Sequence, residues 1–223
     1  MPLWYDAALS RRDHGSCREE ERIVPEPLAE LFSSRVRAAV LALVLPRPHL
    51  RFSLTNLSRR LGLPVSSLQH ECYKLTRLGL LRDERVGNAR LYGPDPAWSL
   101  LEPLTALTVR AMPLEEALRG AVEGVPGIEG AWVSGDLTSP PAPVYVVIVG
   151  SLGVEELDGT FDRCRVALLS TAGACRIELA YFRPADWEGR LNRDDPFATT
   201  LRESPRIELC PFTREDGQDP DVT

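Results

Sequence analysis

The chain has 223 residues, which is enough for two small domains, each with a modest core. Its net charge of −6 conceals an asymmetry, because residues 28–93 contain eleven basic and four acidic residues, whereas residues 99–223 contain eleven basic and twenty-one acidic ones. This distribution fits a nucleic-acid-binding part joined to a part that stays off nucleic acid. It fits two ordinary domains with different surfaces equally well.

Cysteine usage and hydropathy indicate the compartment. No apolar run approaches the roughly eighteen residues of a membrane span, and no secretory signal is visible, so we expect no membrane association. The five cysteines are odd in number and form no C-x-x-C pair. We therefore expect a cytoplasmic protein with reduced thiols, in which Cys72 is a core residue. A redox-sensing or metal-sensing pair formed by Cys164 and Cys175 is the alternative.

Residues 54–78 predict two short helices joined by a tight turn. The first helix is predicted over residues 54–61, and Gly62-Leu63-Pro64 ends it because proline cannot continue a helix. The second is predicted over residues 66–78, where Ser66 with Gln69 three residues later has the form of a capping box. Its apolar residues recur at i, i+4 and i+7, which is one face of a 3.6-residue period; they are Leu68, Cys72 and Leu75.

The opposite face of the second helix carries hydrogen-bond donors and positive charge. It consists of Ser67, His70, Lys74 and Arg77, with Gln69 and Glu71 to either side. Two short strands are predicted next, over residues 80–82 and 90–92. The turn between them is predicted at residues 85–88, with Gly87 and Asn88 supplying positive φ. A helix that fits the major groove beside a basic hairpin is a geometry that reads duplex DNA.

The residues before the two helices predict a further helix and a short strand that support them. Residues 28–45 end in a strongly apolar helix, for which Ser33 or Ser34 is the predicted cap. Residues 50–52 are predicted as a short strand that pairs with the hairpin. Arg37 and Arg47 are expected to be ordinary solvated charges, and His14 and His49 plain surface residues. Residues 1–27 form a polar extension that either docks on a partner or is loosely ordered.

Beyond residue 93 the pattern changes to longer helices and then to alternating strands and helices. Residues 98–118 predict a helix that Pro103 and Pro113 start or kink. Strands are predicted over residues 131–133, 144–149, 175–182 and 207–209, and helices over residues 154–169, 186–191 and 196–201. The tail from Arg214 is predicted to be disordered.

Two family resemblances follow from these stretches. Residues 28–93 resemble the winged helix-turn-helix repressors of the ArsR and MarR type, and the run from Leu54 to Leu81 (LTNLSRRLGLPVSSLQHECYKLTRLGLL) carries the match. The whole chain resembles bacterial regulators in which such a domain is followed by a nucleotidyltransferase-like domain. That second resemblance rests on the order of elements and on the GIEGAWVSGD stretch near residue 130.

The resemblances imply an α+β fold with five segments. An N-terminal winged helix-turn-helix domain is followed by a helical linker and a small α/β, nucleotidyltransferase-like domain. In winged-helix repressors a helix after the wing commonly pairs two subunits, so a homodimer is expected. The segments are a polar extension (1–27), the winged helix-turn-helix domain (28–95), the linker or dimerisation helix (96–123), the α/β domain (124–213) and the tail (214–223).

The resemblance also defines what catalysis would require. Nucleotidyltransferases use a Gly-Ser turn that approaches the triphosphate and two strand acids at i and i+2 that hold divalent metals. This chain has Ser134-Gly135-Asp136 at the turn, and Pro143 and Tyr145 at the acid positions, which leaves Glu178 as a single strand acid. We therefore expect no enzyme activity, metal or cofactor, although a degenerate pocket of this kind could still take a small ligand. An active nucleotidyltransferase is the third hypothesis.

The leading hypothesis is a DNA-binding transcriptional regulator that reads duplex DNA as a homodimer, with the helix over residues 66–78 and the basic wing over residues 81–92. The alternative is a protein-interaction module, antitoxin-like or a scaffold, with an inert second domain. The residues predicted to contact DNA are Ser66, Ser67, Gln69, His70, Tyr73, Lys74, Arg77, Arg82, Arg85, Asn88 and Arg90.

Overall fold

The computed structural model describes residues 25–137, 142–171 and 176–212. These residues form a mixed α and β structure with two small sheets. The predictions for the N-terminal extension up to residue 24 and for the tail from residue 214 fall outside the described residues. Within those residues no helix is both long and apolar enough to cross a membrane.

The first half contains five helices and a three-stranded antiparallel sheet in the order β1-β3-β2. The short strand before the helix pair joins β3, as predicted, although it begins two residues later than expected. The elements are α1 (Glu26–Leu31), α2 (Arg35–Val44), β1 (Phe52–Ser53), α3 (Leu54–Leu61), α4 (Val65–Arg77), β2 (Leu81–Val86), β3 (Ala89–Pro94) and α5 (Leu101–Ala111).

Side-chain caps and a glycine determine where the first helices begin and end. Ser34 and Ser53 each accept a hydrogen bond from the third backbone N–H of the helix that follows, so the predicted cap at residue 34 is confirmed. Gly62 ends α3 with φ of +64°, a conformation that favours glycine. The predicted capping box is wrong. The N-cap of α4 is Pro64, whose extended conformation starts the helix at Val65, and no side chain caps it.

The hairpin β2–β3 is longer than predicted and closes through two residues. Arg85 pairs with Arg90 and Val86 with Ala89, which leaves Gly87 and Asn88 as the turn. Gly87 has φ of +59°, but Asn88 does not have a positive φ, so that part of the prediction is wrong. One glycine at the first turn position is the requirement of a type II′ hairpin turn, which needs no second residue with positive φ.

A first hydrophobic core holds these elements together. Leu68, Cys72 and Leu75 of α4 are buried, as the helical period predicted. They pack with residues of α2 and α3 and with Phe52 and Tyr92 of the sheet. Fully burying a leucine stabilises a fold by about 1.5–3 kcal/mol, so this core fixes α4 firmly against its support.

The second half begins with a break in the helix predicted over residues 98–118. Met112 adopts an extended conformation and Pro113 precedes a new helix, because proline suits a helix start and not its interior. The remaining elements are α6 (Leu114–Val122), β4 (Ile128–Ser134), β5 (Val144–Gly150), α7 (Val154–Thr171), β6 (Ile177–Phe182), α8 (Pro184–Asn192), α9 (Pro196–Glu203) and β7 (Arg206–Cys210).

The second sheet has four strands in the order β6-β5-β4-β7, and only the β5–β6 pair is parallel. Both of its faces are covered. Val146 and Ile148 of β5 pack with α6 and α7, whereas Val147 and Val149 face the aromatic residues and α9 on the other side. A strand buried on both faces explains the continuous β-branched run over residues 144–149.

The two halves are joined by packing and by ion pairs. Leu101 and Leu104 of α5 pack on the first core, whereas Val109 belongs to the second. Arg47 is only 4% exposed and donates to Glu123 at 2.6 Å and to Glu116 at 2.8 Å, both on or beside α6. The expectation that this arginine is solvated is therefore wrong. Its partners lie about seventy residues away in sequence, where no local pattern reveals them.

His49 also lies at this junction and not on the open surface. Its Nε2 is 2.6 Å from the backbone carbonyl oxygen of Glu123. Burial lowers the pKa of the imidazole and this hydrogen bond raises it. Burial is the larger effect, so the pKa of His49 is lowered. Glu123 accepts from Arg60 of α3 as well, at 2.6 Å. Burial raises the pKa of this carboxyl, but the hydrogen bonds from Arg47 and Arg60 outweigh burial, and the pKa is lowered. The junction thus holds an ionised carboxylate and a neutral imidazole near pH 7.

Candidate nucleic-acid interface

An open cleft of about 550 Å³ separates α4 from the hairpin β2–β3; we call it the α4–hairpin cleft. One wall is the exposed side of α4 and the other is one face of the hairpin. Six of the eleven residues predicted to contact DNA line this cleft. The lining residues are Ser66, Gln69, His70, Tyr73, Thr76, Arg77, Asp83, Arg90 and Tyr92.

The exposed side of α4 carries no acidic residue. Glu71 is the only carboxylate of the helix, and it is buried and ion-paired with Arg37 of α2 at 2.5 Å. The sequence pattern had placed Glu71 beside the basic face, which is wrong. It had treated Arg37 as an ordinary solvated charge, but Arg37 is only partly exposed and is paired with Glu71. Glu71 can be buried because the Arg37 guanidinium, on another helix, compensates the negative charge of its carboxylate. The side left outward presents donors and positive charge.

An aromatic side chain organises one of the two exposed cations of α4. Tyr73 is exposed, and the Arg77 guanidinium lies 5.8 Å from the centre of its ring. Lys74 is exposed and makes none of the ion pairs found among the described residues. Ser67 and Lys74 do not line the cleft, because the 100° rotation per residue puts them next to His70 on the part of the exposed side that lies farther from the hairpin.

The register of the hairpin divides its charges between two faces. Asp83 is opposite Tyr92 and Arg85 is opposite Arg90, and these four side chains share the face that turns toward α4. Arg82 alternates with them and therefore lies on the reverse face together with Glu84. The prediction grouped Arg82 with Arg85 and Arg90. Because side chains alternate along a strand, the structure does not bring Arg82 to the cleft.

Within the cleft-facing side of the hairpin, the two arginines have different environments. The Arg90 guanidinium donates to Asp83 at 2.6 Å, and this hydrogen bond raises the pKa of Arg90 above its ordinary value. Arg85 is exposed beside the turn and has no ion pair with another described residue. Arg85 and Asn88 therefore lie toward the tip of the hairpin, and Arg90 lies deeper, already partly neutralised.

Three residues of the cleft were missed by sequence reasoning. Thr76 lines it, and its hydroxyl oxygen is buried without a hydrogen-bond partner among the described residues. Asp83 and Tyr92 face the cleft from the hairpin. The period of two along each strand could have assigned Asp83 and Tyr92 to the same face as Arg85 and Arg90, once the pairing register was known.

The turn after β4 contains the residues of the second resemblance. Ser134 is buried, Gly135 has φ of +124° and Asp136 is exposed, whereas residues 138–141 fall outside the description. Glu178 on β6 is ion-paired with Arg176 at 2.5 Å. Among the described residues no group of three or more His, Cys, Asp or Glu side chains is arranged to hold a metal ion.

Comparison of the chain with protein-family models, curated proteins and solved structures found no match. A function therefore has to follow from the geometry and charge of the α4–hairpin cleft. That cleft offers cations, hydroxyls, an amide and an imidazole around an exposed helix. Groups of these types donate to phosphate oxygens and to base edges.

Proposed function

We propose that the protein is a DNA-binding transcriptional regulator of the winged helix-turn-helix kind. The observation that carries the proposal is the charge distribution of α4. Its single carboxylate is buried against Arg37, and its outward side presents His70, Lys74 and Arg77 beside a basic hairpin. A helix with donors and cations on one exposed side is suited to the major groove, where base edges present a distinct pattern of acceptors and donors.

The residues divide into two roles in this proposal. His70, Lys74 and Arg77 project from the outer side of α4 and contact base edges, with Ser66, Ser67, Gln69 and Tyr73 beside them. Arg85 and Asn88 at the hairpin tip contact phosphates or the minor groove. Arg90 contributes to the same contacts, but Asp83 partly neutralises its charge. Phosphate contacts supply most of the affinity and make it salt-sensitive, whereas base contacts supply the preference between sequences.

Two copies of the chain act together in this proposal, through the outer side of α5. Leu100, the N-cap residue of α5, is 57% exposed, and Leu107 within the helix is 44% exposed. Leucines exposed in this way are suited to pairing with the same helix of a second copy. A two-fold dimer then presents two reading helices to half-sites one helical turn apart.

In this proposal the second half of the chain catalyses no reaction. The positions that hold metal-binding acids in nucleotidyltransferases are occupied by Pro143 and Tyr145. The strand acid Glu178 is engaged by Arg176. We therefore assign residues 124–213 a supporting role, and the antitoxin-like or scaffold alternative shares this assignment.

In vitro selection from a random duplex pool tests the proposal. The full chain should enrich one sequence, and variants should separate the two roles. Lys74→Ala and His70→Ala should change the preference between the enriched duplex and single-base variants of it. Arg85→Gln should weaken all duplexes alike and reduce the slope of log Kd against log salt by about 0.9, the contribution of one phosphate contact.

Arg82→Gln is the matched control, because it removes the same charge from the reverse face of the same hairpin. It should change affinity less than Arg85→Gln does. Equal effects of Arg82→Gln and Arg85→Gln would contradict the assignment of the cleft-facing side. Failure to enrich any sequence would contradict specific DNA recognition.

A further inference from the structure

The exposed side of α4 and the neighbouring hairpin carry three exposed cations that form no ion pair with another described residue. They are Lys74, Arg77 and Arg85. Arg90, close by, is paired with the Asp83 carboxylate at 2.6 Å, so this surface already holds one carboxylate of the chain. It therefore suits further carboxylates as well as phosphates, since both are anions that accept hydrogen bonds from lysine and arginine.

The chain itself contains an acidic segment that follows the last described residue, Phe212. Residues 213–223, which we call the acidic tail, contain four acidic residues and one basic residue. The acidic residues are Glu215, Asp216, Asp219 and Asp221. Residues 1–24, at the other end, contain five acidic and four basic residues and are nearly neutral. Of these two segments, only the acidic tail is complementary in charge to the outer side of α4.

The acidic tail begins beside the junction that leads to α4. Residues 209–211 line a groove together with Glu123. Glu123 in turn accepts a hydrogen bond from Arg60 in the last turn of α3. Only residues 61–64 separate Arg60 from the start of α4 at Val65. One groove, one arginine side chain and one short turn therefore connect the end of the described chain with the N-terminal end of α4.

The acidic tail is also long enough to lie along α4. Its eleven residues span at most about 36 Å when extended. Lys74 and Arg77 lie about 14 and 18 Å along the helix axis from Val65. The remaining length, about 20 Å, is available for the path past the junction. Tethering holds the tail at a millimolar effective concentration, so ion pairs that are individually weak suffice to seat it.

We propose that the acidic tail lies along the outer side of α4, with its carboxylates opposite Lys74 and Arg77, and blocks this surface against DNA. The carboxylates replace phosphate oxygens on the same donors, so DNA has to displace the tail before it binds. Because the contact consists of exposed ion pairs, it weakens as salt rises. The contact itself needs no DNA, whereas its effect on DNA affinity rests on the proposed function.

Lys74 gives a direct test of the contact, because it is the only lysine of the chain. A carbodiimide joins a lysine amine to a carboxylate that lies against it and inserts no spacer. Treatment of the dilute full chain at low salt should join Lys74 to the acidic tail, as identified by mass spectrometry of proteolytic fragments. High salt should suppress this product, because it screens the ion pairs that seat the tail.

A second measurement determines whether the contact opposes DNA binding. The tail variant neutralises all four acids, through Glu215→Gln, Asp216→Asn, Asp219→Asn and Asp221→Asn. It should bind every duplex at least about threefold more tightly at low salt, because apparent affinity scales with the fraction of chains whose binding surface is open. The gain should disappear at high salt, where the tail of the unmodified chain no longer competes.

The matched control removes the same charge from exposed positions of α7 and α8, and it should change the affinity for DNA less than the tail variant does. Its substitutions are Glu155→Gln, Glu156→Gln, Asp158→Asn and Asp186→Asn.

The two measurements separate the contact from the proposed function. If Lys74 is joined only to acidic residues outside the tail, the contact is overturned, whatever the affinity for DNA. If Lys74 is joined to the tail but the tail variant gains no more affinity than the control, the autoinhibitory role is overturned. If the tail is joined to Lys74 and no variant binds DNA, the contact is supported and the proposed function is contradicted.

Discussion

Two acidic side chains control the positive charge near the cleft in opposite ways. Glu71 is buried, which takes the only carboxylate of α4 away from the surface, and it pairs there with the partly exposed Arg37. Asp83 keeps its carboxylate in the cleft and neutralises Arg90 there. The charge that the hairpin offers to a phosphate therefore depends on one exposed ion pair, and exposed pairs of this kind are weak.

Asp83→Asn should strengthen binding to every duplex. The substitution frees the Arg90 guanidinium and removes a negative charge from the cleft, so one more phosphate contact becomes available. The slope of log Kd against log salt should steepen by about 0.9. The measurement is fluorescence anisotropy with a labelled duplex over a range of salt concentrations.

Glu84→Gln provides the comparison, because it removes the same charge from the reverse face of the same strand. Its effect on affinity should be smaller and its salt slope unchanged. Equal effects of the two variants would show that overall charge, and not the Asp83–Arg90 pair, controls binding.

At the scale of the elements, most helices and strands could be predicted from the sequence because their signals are local. The 3.6-residue period and the Gly62–Pro64 break predicted α3 with the bounds that the structure has, and the β-branched run predicted β5. Helix caps were harder to predict from the sequence. Ser66 satisfies the capping pattern, but the extended backbone at Pro64 starts the helix at Val65, one residue before the predicted start. The sides taken by Glu71 and Arg82 depend on tertiary partners and on strand register.

The difference between serines that cap a helix and one that only fits the capping pattern predicts which of them stabilise the fold. Ser34→Ala and Ser53→Ala should each lower the free energy of unfolding by about 1 kcal/mol, because each loses a side-chain acceptor for an N-terminal N–H. Ser66→Ala should change it by less than about 0.5 kcal/mol, since no cap is lost. Urea denaturation of the three variants measures these changes. If Ser66→Ala lowered the free energy of unfolding as much as Ser53→Ala does, Ser66 would cap α4 after all.

At the scale of the whole molecule, the halves meet at a junction of charges that no local pattern reveals. Arg47 and His49 follow α2, Arg60 belongs to α3, and all three converge on Glu123 at the end of α6. Sequence reasoning treated Arg47 and His49 as surface residues because their partners lie about seventy residues away. On α5, in contrast, Leu107 is exposed, on the side that we propose contacts a second copy.

The junction makes stability depend on pH. The pKa of His49 is lowered from 6.5 in the fold, so the unfolded chain takes up a proton first and stability decreases as the pH falls below about 6.5. His49→Gln keeps a donor for the Glu123 carbonyl but cannot titrate, and it should flatten this decrease between pH 7.5 and 5.5 in urea denaturation. An unchanged slope in His49→Gln would contradict the assignment.

The proposed dimer predicts that a charge on α5 disrupts association, whereas the same charge on α7 does not. Leu107→Glu should convert the protein to a monomer in sedimentation experiments, because it puts a charge in the proposed contact between α5 helices. Leu169→Glu makes the same change on α7 at an almost equally exposed leucine and should leave the dimer intact. Dimers that survive Leu107→Glu would place the contact elsewhere.

The most direct test of the central claim is binding of the full chain to the duplex upstream of its own coding sequence and to a scrambled duplex, at two salt concentrations. DNA recognition by α4 and the hairpin predicts tighter binding to the upstream duplex, with affinity for both decreasing as salt rises. Absence of binding to either duplex at low salt would contradict the claim and favour a protein partner for the α4–hairpin cleft.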